Sequence, residues 1–138
     1  VLAGSFLRKR EIVLDRELLT NARELTRIVV HEVFHFVWRR LGNSTRRDWE
    51  HLLRNELAAN VSGEAGWSAQ WRKTELRARD IRQRTRRWRE YVCEGFCDTA
   101  AWLFTGQHRE MTLDPANRKP RRRWFSQMLH RRLHELPI

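Results

Sequence analysis

The stretch NARELTRIVVHEVFHFVWRRLG, residues 21–42, decides how the rest of the chain is read. Ala22, Leu25, Ile28, Val29, Val33, Phe36, Val37 and Leu41 recur at helical spacing. Asn21, with Glu24 three residues on, is the capping-box pattern that opens a helix. Gly42 followed by Asn43 supplies a stop. On such a helix His31 and His35, four apart, share a face and can offer two ring nitrogens to one Zn²⁺. Glu32 is rotated by about 100° from His31. It therefore flanks the metal, placed to take a proton from water that the metal acidifies. Two histidines and a glutamate on a largely apolar helix need partners, because burying polar groups unpaired is costly. A metal meets that need; the plainer alternative is a pair of ordinary core histidines.

Hydrolytic zinc sites use three protein ligands and leave a fourth position open. The sequence after His35 carries Trp38 and Leu41, so no third histidine follows at short spacing. The best third ligand is Glu94, in Tyr91-Val92-Cys93-Glu94-Gly95-Phe96-Cys97-Asp98. Glu94 and Asp98 are four apart and share a helical face, so Glu94 can ligate while Asp98 holds the other ring N–H of a ligand histidine. Glu56, with Asn60 four residues later, is the competing carboxylate. His130 and His134 are also four apart, but they lack an adjacent Glu and lie among arginines; they read as a polar helix face. His51 and His108 carry no legible context.

His-Glu-x-x-His followed downstream by Glu-x-x-x-Asp resembles the gluzincin metallopeptidases, the thermolysin-like group. The resemblance implies His31, His35 and Glu94 as zinc ligands, Glu32 as general base and Asp98 as the partner of His31. It covers residues 21–42 and 88–105, under a third of the chain. The sequence departs from that group at Cys93, where Asn is frequent, and in length, which leaves no room for the larger helical subdomain. The group's oxyanion-binding Tyr and His have no match by spacing. Tyr91, the only tyrosine, stands three residues before Glu94 and is the candidate oxyanion donor, with a core-edge role as the alternative.

Outward from the motif, Glu11 to Leu14 is a short β-prone run, with Ser5 to Leu7 its candidate partner and Arg8-Lys9-Arg10 a turn between them. Ser44 or Thr45 can cap a second helix through about Asn60, with Trp49, Leu52, Leu53 and Leu57 on its apolar side. Residues 61–71, with Gly63, Gly66, Trp67 and Trp71, read as an ordered loop. Thr74 to Arg87 reads as a solvated basic helix, Trp88 to Thr105 as an apolar one ended by Gly106. Asp114 to Pro120 reads as a linker, and Arg121 to Leu136 as a terminal helix with Phe125, Leu129, Leu133 and Leu136 in register. The expected architecture is one compact, mainly helical α+β domain over residues 1–138, zincin-like as the resemblance implies. The strand Glu11–Leu14 would be an edge able to pair with an extended peptide.

Composition narrows the partners. A chain of 138 residues is long enough to bury a core without disulfides. No run approaches the length of a membrane span. Val1-Leu2-Ala3 is too short for a signal-peptide core, although a chain starting without Met leaves a trimmed leader open. Cys93 and Cys97 read as reduced thiols, with small core side chains as the simplest role, which favours a cytoplasmic setting. The formal charge of +11 comes almost wholly from arginine: all but three of 28 basic side chains. They are spread along the chain, so a solvated basic surface that draws acidic peptides by long-range attraction is preferred to nucleic-acid recognition. The expected function is zinc-dependent amide hydrolysis of a peptide or protein. The alternatives are a non-catalytic zinc module and a polyanion-binding basic protein.

Overall fold

The computed structural model describes residues 3–135, the side chains of 133–135 aside. The chain is mainly helical, with one short hairpin. Strand β1 (Ala3–Phe6) pairs antiparallel with β2 (Glu11–Leu14), Gly4 opposite Val13 and Ser5 opposite Ile12. A 3₁₀ turn (Arg16–Thr20) leads into α1 (Ala22–Arg40), followed by α2 (Asn43–Ala58), α3 (Trp67–Glu75), α4 (Ala78–Gln83), α5 (Arg86–Thr105) and α6 (Pro115–Glu135). No helix among the described residues is long and apolar enough to cross a membrane.

The expected N-terminal cap of α1 forms: the Asn21 side chain accepts from the Glu24 amide at 3.2 Å. Its end differs from the expectation. Leu41 closes α1 in an extended conformation, and Gly42 serves instead as the N-cap of α2. Ser44 and Thr45 therefore sit inside the first turn of α2, not at its cap. The reason is packing: Leu41 is buried, and a sharp corner there lets α2 turn back on the core. The apolar stripe of α1 is also rotated from the one expected. Val33 is exposed, while Ile28, His31, Phe34 and Trp38 turn inward. The buried stripe thus runs through a histidine.

Helix α5 is the axis of the domain and packs against α1, α2, α3, α4 and α6. Trp49 of α2, Phe96 of α5, and Trp124 and Phe125 of α6 interlock with ring centroids 5.0–6.1 Å apart. The Trp49 indole N–H donates to the Val92 carbonyl at 3.0 Å, so this large ring is buried without a lost hydrogen bond. Trp67 to Trp71 lie in a helix, not in the loop expected there. The expected 114–120 linker is likewise helical: Pro115 occupies the first turn, where its missing N–H costs nothing, and the Asp114 side chain accepts from the Ala116 amide. Helix α6 runs on through Pro120. The expected register at Leu133, the side chain of His134 and the end at Leu136 fall outside the described residues.

A buried charge cluster holds the remaining loop. Arg121 of α6 is fully buried and binds Glu56 of α2, Glu64 of the 61–66 loop and the Thr99 hydroxyl of α5 at 2.8–3.1 Å. Tyr91 donates its hydroxyl to Glu64, and Lys73 lies 3.8 Å from the same carboxylate. The Glu64 carbonyl accepts from the amides of both Thr112 and Leu113. Gly63 is required here: φ is +79°, and a Cβ would fall 1.8 Å from the Thr112 oxygen. Replacing Arg121 by Met would leave Glu56 in the interior without its cation and Glu64 with only the more distant Lys73. The expected cost is about 3–5 kcal/mol, measured by urea unfolding; a loss below about 1 kcal/mol would contradict this account of the cluster.

Candidate metal centre

Two helices build the site. His31 and His35 project from one face of α1, and Glu94 and Asp98 from the facing side of α5. The structure brings these four side chains together. His31 Nε2 lies 3.0 Å from Glu94 Oε2, and His35 Nε2 lies 3.4 Å from Glu94 Oε1. His31 Nδ1 donates to Asp98 Oδ1 at 2.8 Å. Glu32 is beside them, buried at 7% exposure, within 4.8 Å of ligand atoms on both histidines. No hydrogen bond or ion pair reaches its carboxylate among the described residues.

The donor set fits zinc. Two imidazole nitrogens and one carboxylate make a three-ligand set of the kind found in hydrolytic sites. Ligand bonds of about 2.0–2.1 Å at the tetrahedral angle separate neighbouring donors by about 3.4 Å. The two nitrogen–oxygen separations, 3.0 and 3.4 Å to the two oxygens of Glu94, bring all three side chains within reach of one ion. Asp98 fixes the tautomer of His31 with Nε2 toward Glu94.

Helix α3, missed in the sequence, supports both carboxylates. Its N-cap, Gly66, has no side chain to offer, and Asp98 reaches across from α5 to accept from the Ala69 amide at 2.8 Å. Asp98 thereby takes the place of a cap residue while its other oxygen holds His31. The two backbones must approach closely for this: a Cβ on Gly66 would come within 2.5 Å of the Asp98 carboxyl carbon. Ser68, also in the first turn, donates to Glu94 Oε2 at 2.8 Å. The positive end of α3 thus faces two acids. Arg72, one turn on, places a nitrogen 3.8 Å from Glu94. Ser68 follows Gly66 at a first-turn position, the one sequence signal for this helix start; two glycines and two tryptophans nearby obscured it.

Tyr91 and Glu56 lie elsewhere. The Tyr91 hydroxyl is committed to Glu64 in the buried cluster, and its side chain does not line the cleft, so the oxyanion role expected of it is corrected. Glu56 is bound by the Nε/Nη2 edge of the Arg121 guanidinium, whose Nη1 and Nη2 atoms reach Glu64. His108 donates to the Ala65 carbonyl and helps hold the loop, while His51 and His130 are exposed.

The site opens into a cleft of about 810 Å³. Ile28 and Arg27 of α1 form one wall and Trp67, Trp71 and Arg72 of α3 another. Trp67 and Trp71 are 62% and 40% exposed, and the Arg72 guanidinium stacks 4.3 Å from the Trp71 ring. Arg72 Nε is buried with no hydrogen-bond partner. The strand on the cleft is β1, through Ala3, Gly4 and Ser5, and not the Glu11–Leu14 strand expected there. Strand β2 occupies the far side of the hairpin. The chain matches no family model, no curated protein and no solved structure.

Electrostatics would set the pH dependence of zinc binding at such a donor set. At His31 burial disfavours the charged ring, but hydrogen bonds to Asp98 and Glu94 outweigh it and raise the pKa to about 10. At Glu94 burial acts upward, while His31, His35 and Arg72 hold the carboxyl at about 2. At pH 7–9 the metal-free chain therefore carries a proton on His31 that zinc must displace. Zinc affinity should rise about tenfold or more per pH unit across that window. Competition titrations against a chromophoric chelator, corrected for its own protonation, measure the slope; an affinity independent of pH would contradict the arrangement.

Proposed function

We propose that the chain is a zinc-dependent hydrolase of gluzincin type, in a compact zincin-like form, that cleaves amide bonds in peptides. The observation that carries this reading is the convergence of His31, His35 and Glu94, with the unpartnered Glu32 carboxylate beside them in an open cleft. His31, His35 and Glu94 would hold zinc, which would supply Lewis acidity toward a carbonyl and water.

The chain's own groups do the rest. Glu32 accepts the proton of the attacking water and returns it to the leaving nitrogen. Asp98 keeps His31 oriented, and Ser68 keeps Glu94 oriented. Arg72 supplies the electrostatic stabilisation: its guanidinium lines the cleft beside Glu94, where it can meet negative charge developing on a carbonyl oxygen. Trp67, Trp71 and Ile28 offer apolar surface to substrate side chains. The second edge of β1 pairs with no strand among the described residues and can align an extended peptide through backbone hydrogen bonds.

Glu32→Gln preserves shape and removes the base. The variant is expected to keep one zinc per chain and to lose peptide cleavage by about 10²–10⁴-fold near neutral pH. A mixed fluorogenic peptide library and elemental analysis measure the two quantities. Chelator-sensitive cleavage that survives Glu32→Gln at the wild-type rate would overturn the mechanism.

A further inference from the structure

His35 has a second set of neighbours, on the side of its ring away from Glu94. Its Nδ1 lies 3.5 Å from Cys93 Sγ. One donor atom from each of His35, Cys93 and Cys97 lies within 4.8 Å of the other two. Both cysteines are free thiols, and they are the only two in the chain. They stack at i and i+4 on α5, where a disulfide across one helical turn closes poorly. From this convergence we infer that His35, Cys93 and Cys97 form a second metal site, selective for a thiophilic divalent ion such as zinc or cadmium.

Three physical points support the assignment. Zinc–sulfur and zinc–nitrogen bonds of about 2.3 and 2.0–2.1 Å at the tetrahedral angle place sulfur and nitrogen about 3.6 Å apart, and the His35–Cys93 separation is 3.5 Å. Two thiolates neutralise a divalent ion, so the occupied site carries no net charge. That suits its place beside the fully buried Cys97, where an isolated ion would be heavily penalised. Thiolate and imidazole together select soft and borderline metals over Mg²⁺ or Ca²⁺, which take oxygen. Binding is balanced by release of one proton from each thiol to solvent.

The two sites share His35. A neutral imidazole has one nitrogen free to ligate and a proton on the other. Ligation through Nδ1 to an ion on the cysteine pair puts that proton on Nε2, which then cannot serve the cleft. Occupation of either site therefore weakens the other by the same factor. A thiophilic ion at the cysteine pair acts as an inhibitor of the cleft. The cysteine site stands by itself; only the coupling rests on the proposed zinc in the cleft.

The test uses cadmium and the whole reduced chain. His31→Ala removes one imidazole from the cleft and leaves His35, Cys93 and Cys97 in place. That variant is expected to bind cadmium at one ion per chain, with thiolate-to-cadmium charge-transfer absorption in the ultraviolet. Adding His35→Ala to it should weaken cadmium binding by about tenfold or more, with the helical circular dichroism unchanged. Cys93→Ala, at a partly exposed position, should weaken it at least as much. Absence of the absorption in His31→Ala, half an ion per chain, or an affinity indifferent to His35→Ala would overturn the site.

Discussion

Asp98 serves two neighbours with one carboxylate. One oxygen receives the Nδ1 proton of His31 on α1, and the other receives the Ala69 amide at the start of α3. Three helices meet at this group, which is 2% exposed and so depends on both donors for its charge to be tolerated. Without the capping contact the first turn of α3, which carries the Ser68 that orients Glu94, would lose about 0.5–2 kcal/mol of support. Remove the imidazole contact and His31 loses the tautomer that aims Nε2 at the cleft. The close approach at Gly66 follows from the same demand, since a larger residue there would occupy the position of the Asp98 carboxyl.

A second buried group makes that approach possible. The loop carrying Gly63 and Gly66 contains few apolar anchors, and its position is fixed by charge. Arg121, Glu56, Glu64 and Lys73 contribute two positive and two negative groups, so the cluster is neutral as a whole. Buried ion networks of this kind add little net stability compared with apolar packing, but they break expensively when one member is lost. Their value here is geometric: Glu64 connects α5 and α6 to the loop that leads into α3, and Arg121 extends the link to Glu56 of α2. Arg121 thereby has a structural role. Arg84 and Arg54 bind Glu50 in the same way at another corner of the fold. A balanced cluster such as that around Arg121 leaves the net charge of +11 unchanged and carried by the remaining arginines.

The helices that carry the site were legible because local signals agree with the fold. Asn21, Glu24 and the apolar periodicity mark α1, and Gly106 marks the end of α5. The i, i+4 relations of His31 with His35 and of Glu94 with Asp98 need only helix geometry to be read. What stayed hidden was decided by tertiary contacts. Helix α3 is capped from another helix by Asp98, so no local cap signal precedes it. Helix α6 passes through Pro120 because the first turn is capped by Asp114 and Arg121 is drawn into the core one residue later. Tyr91 lies about one helical turn before Glu94 and close to its face, but its hydroxyl is taken by Glu64 and its side chain does not line the cleft. Val33 looked like core by periodicity; the stripe that packs instead runs through His31 and places polar groups where a helix usually buries aliphatic ones. Local rules fail most often where a site imposes such costs.

Anomalous diffraction from crystals grown with a single equivalent of zinc tests most directly whether one ion binds between α1 and α5. The account predicts a peak about 2.0–2.2 Å from His31 Nε2, His35 Nε2 and a Glu94 oxygen, with the fourth position open toward Glu32 and the cleft. A peak held by four protein ligands with no room beside Glu32, or no density between these three side chains, would contradict it.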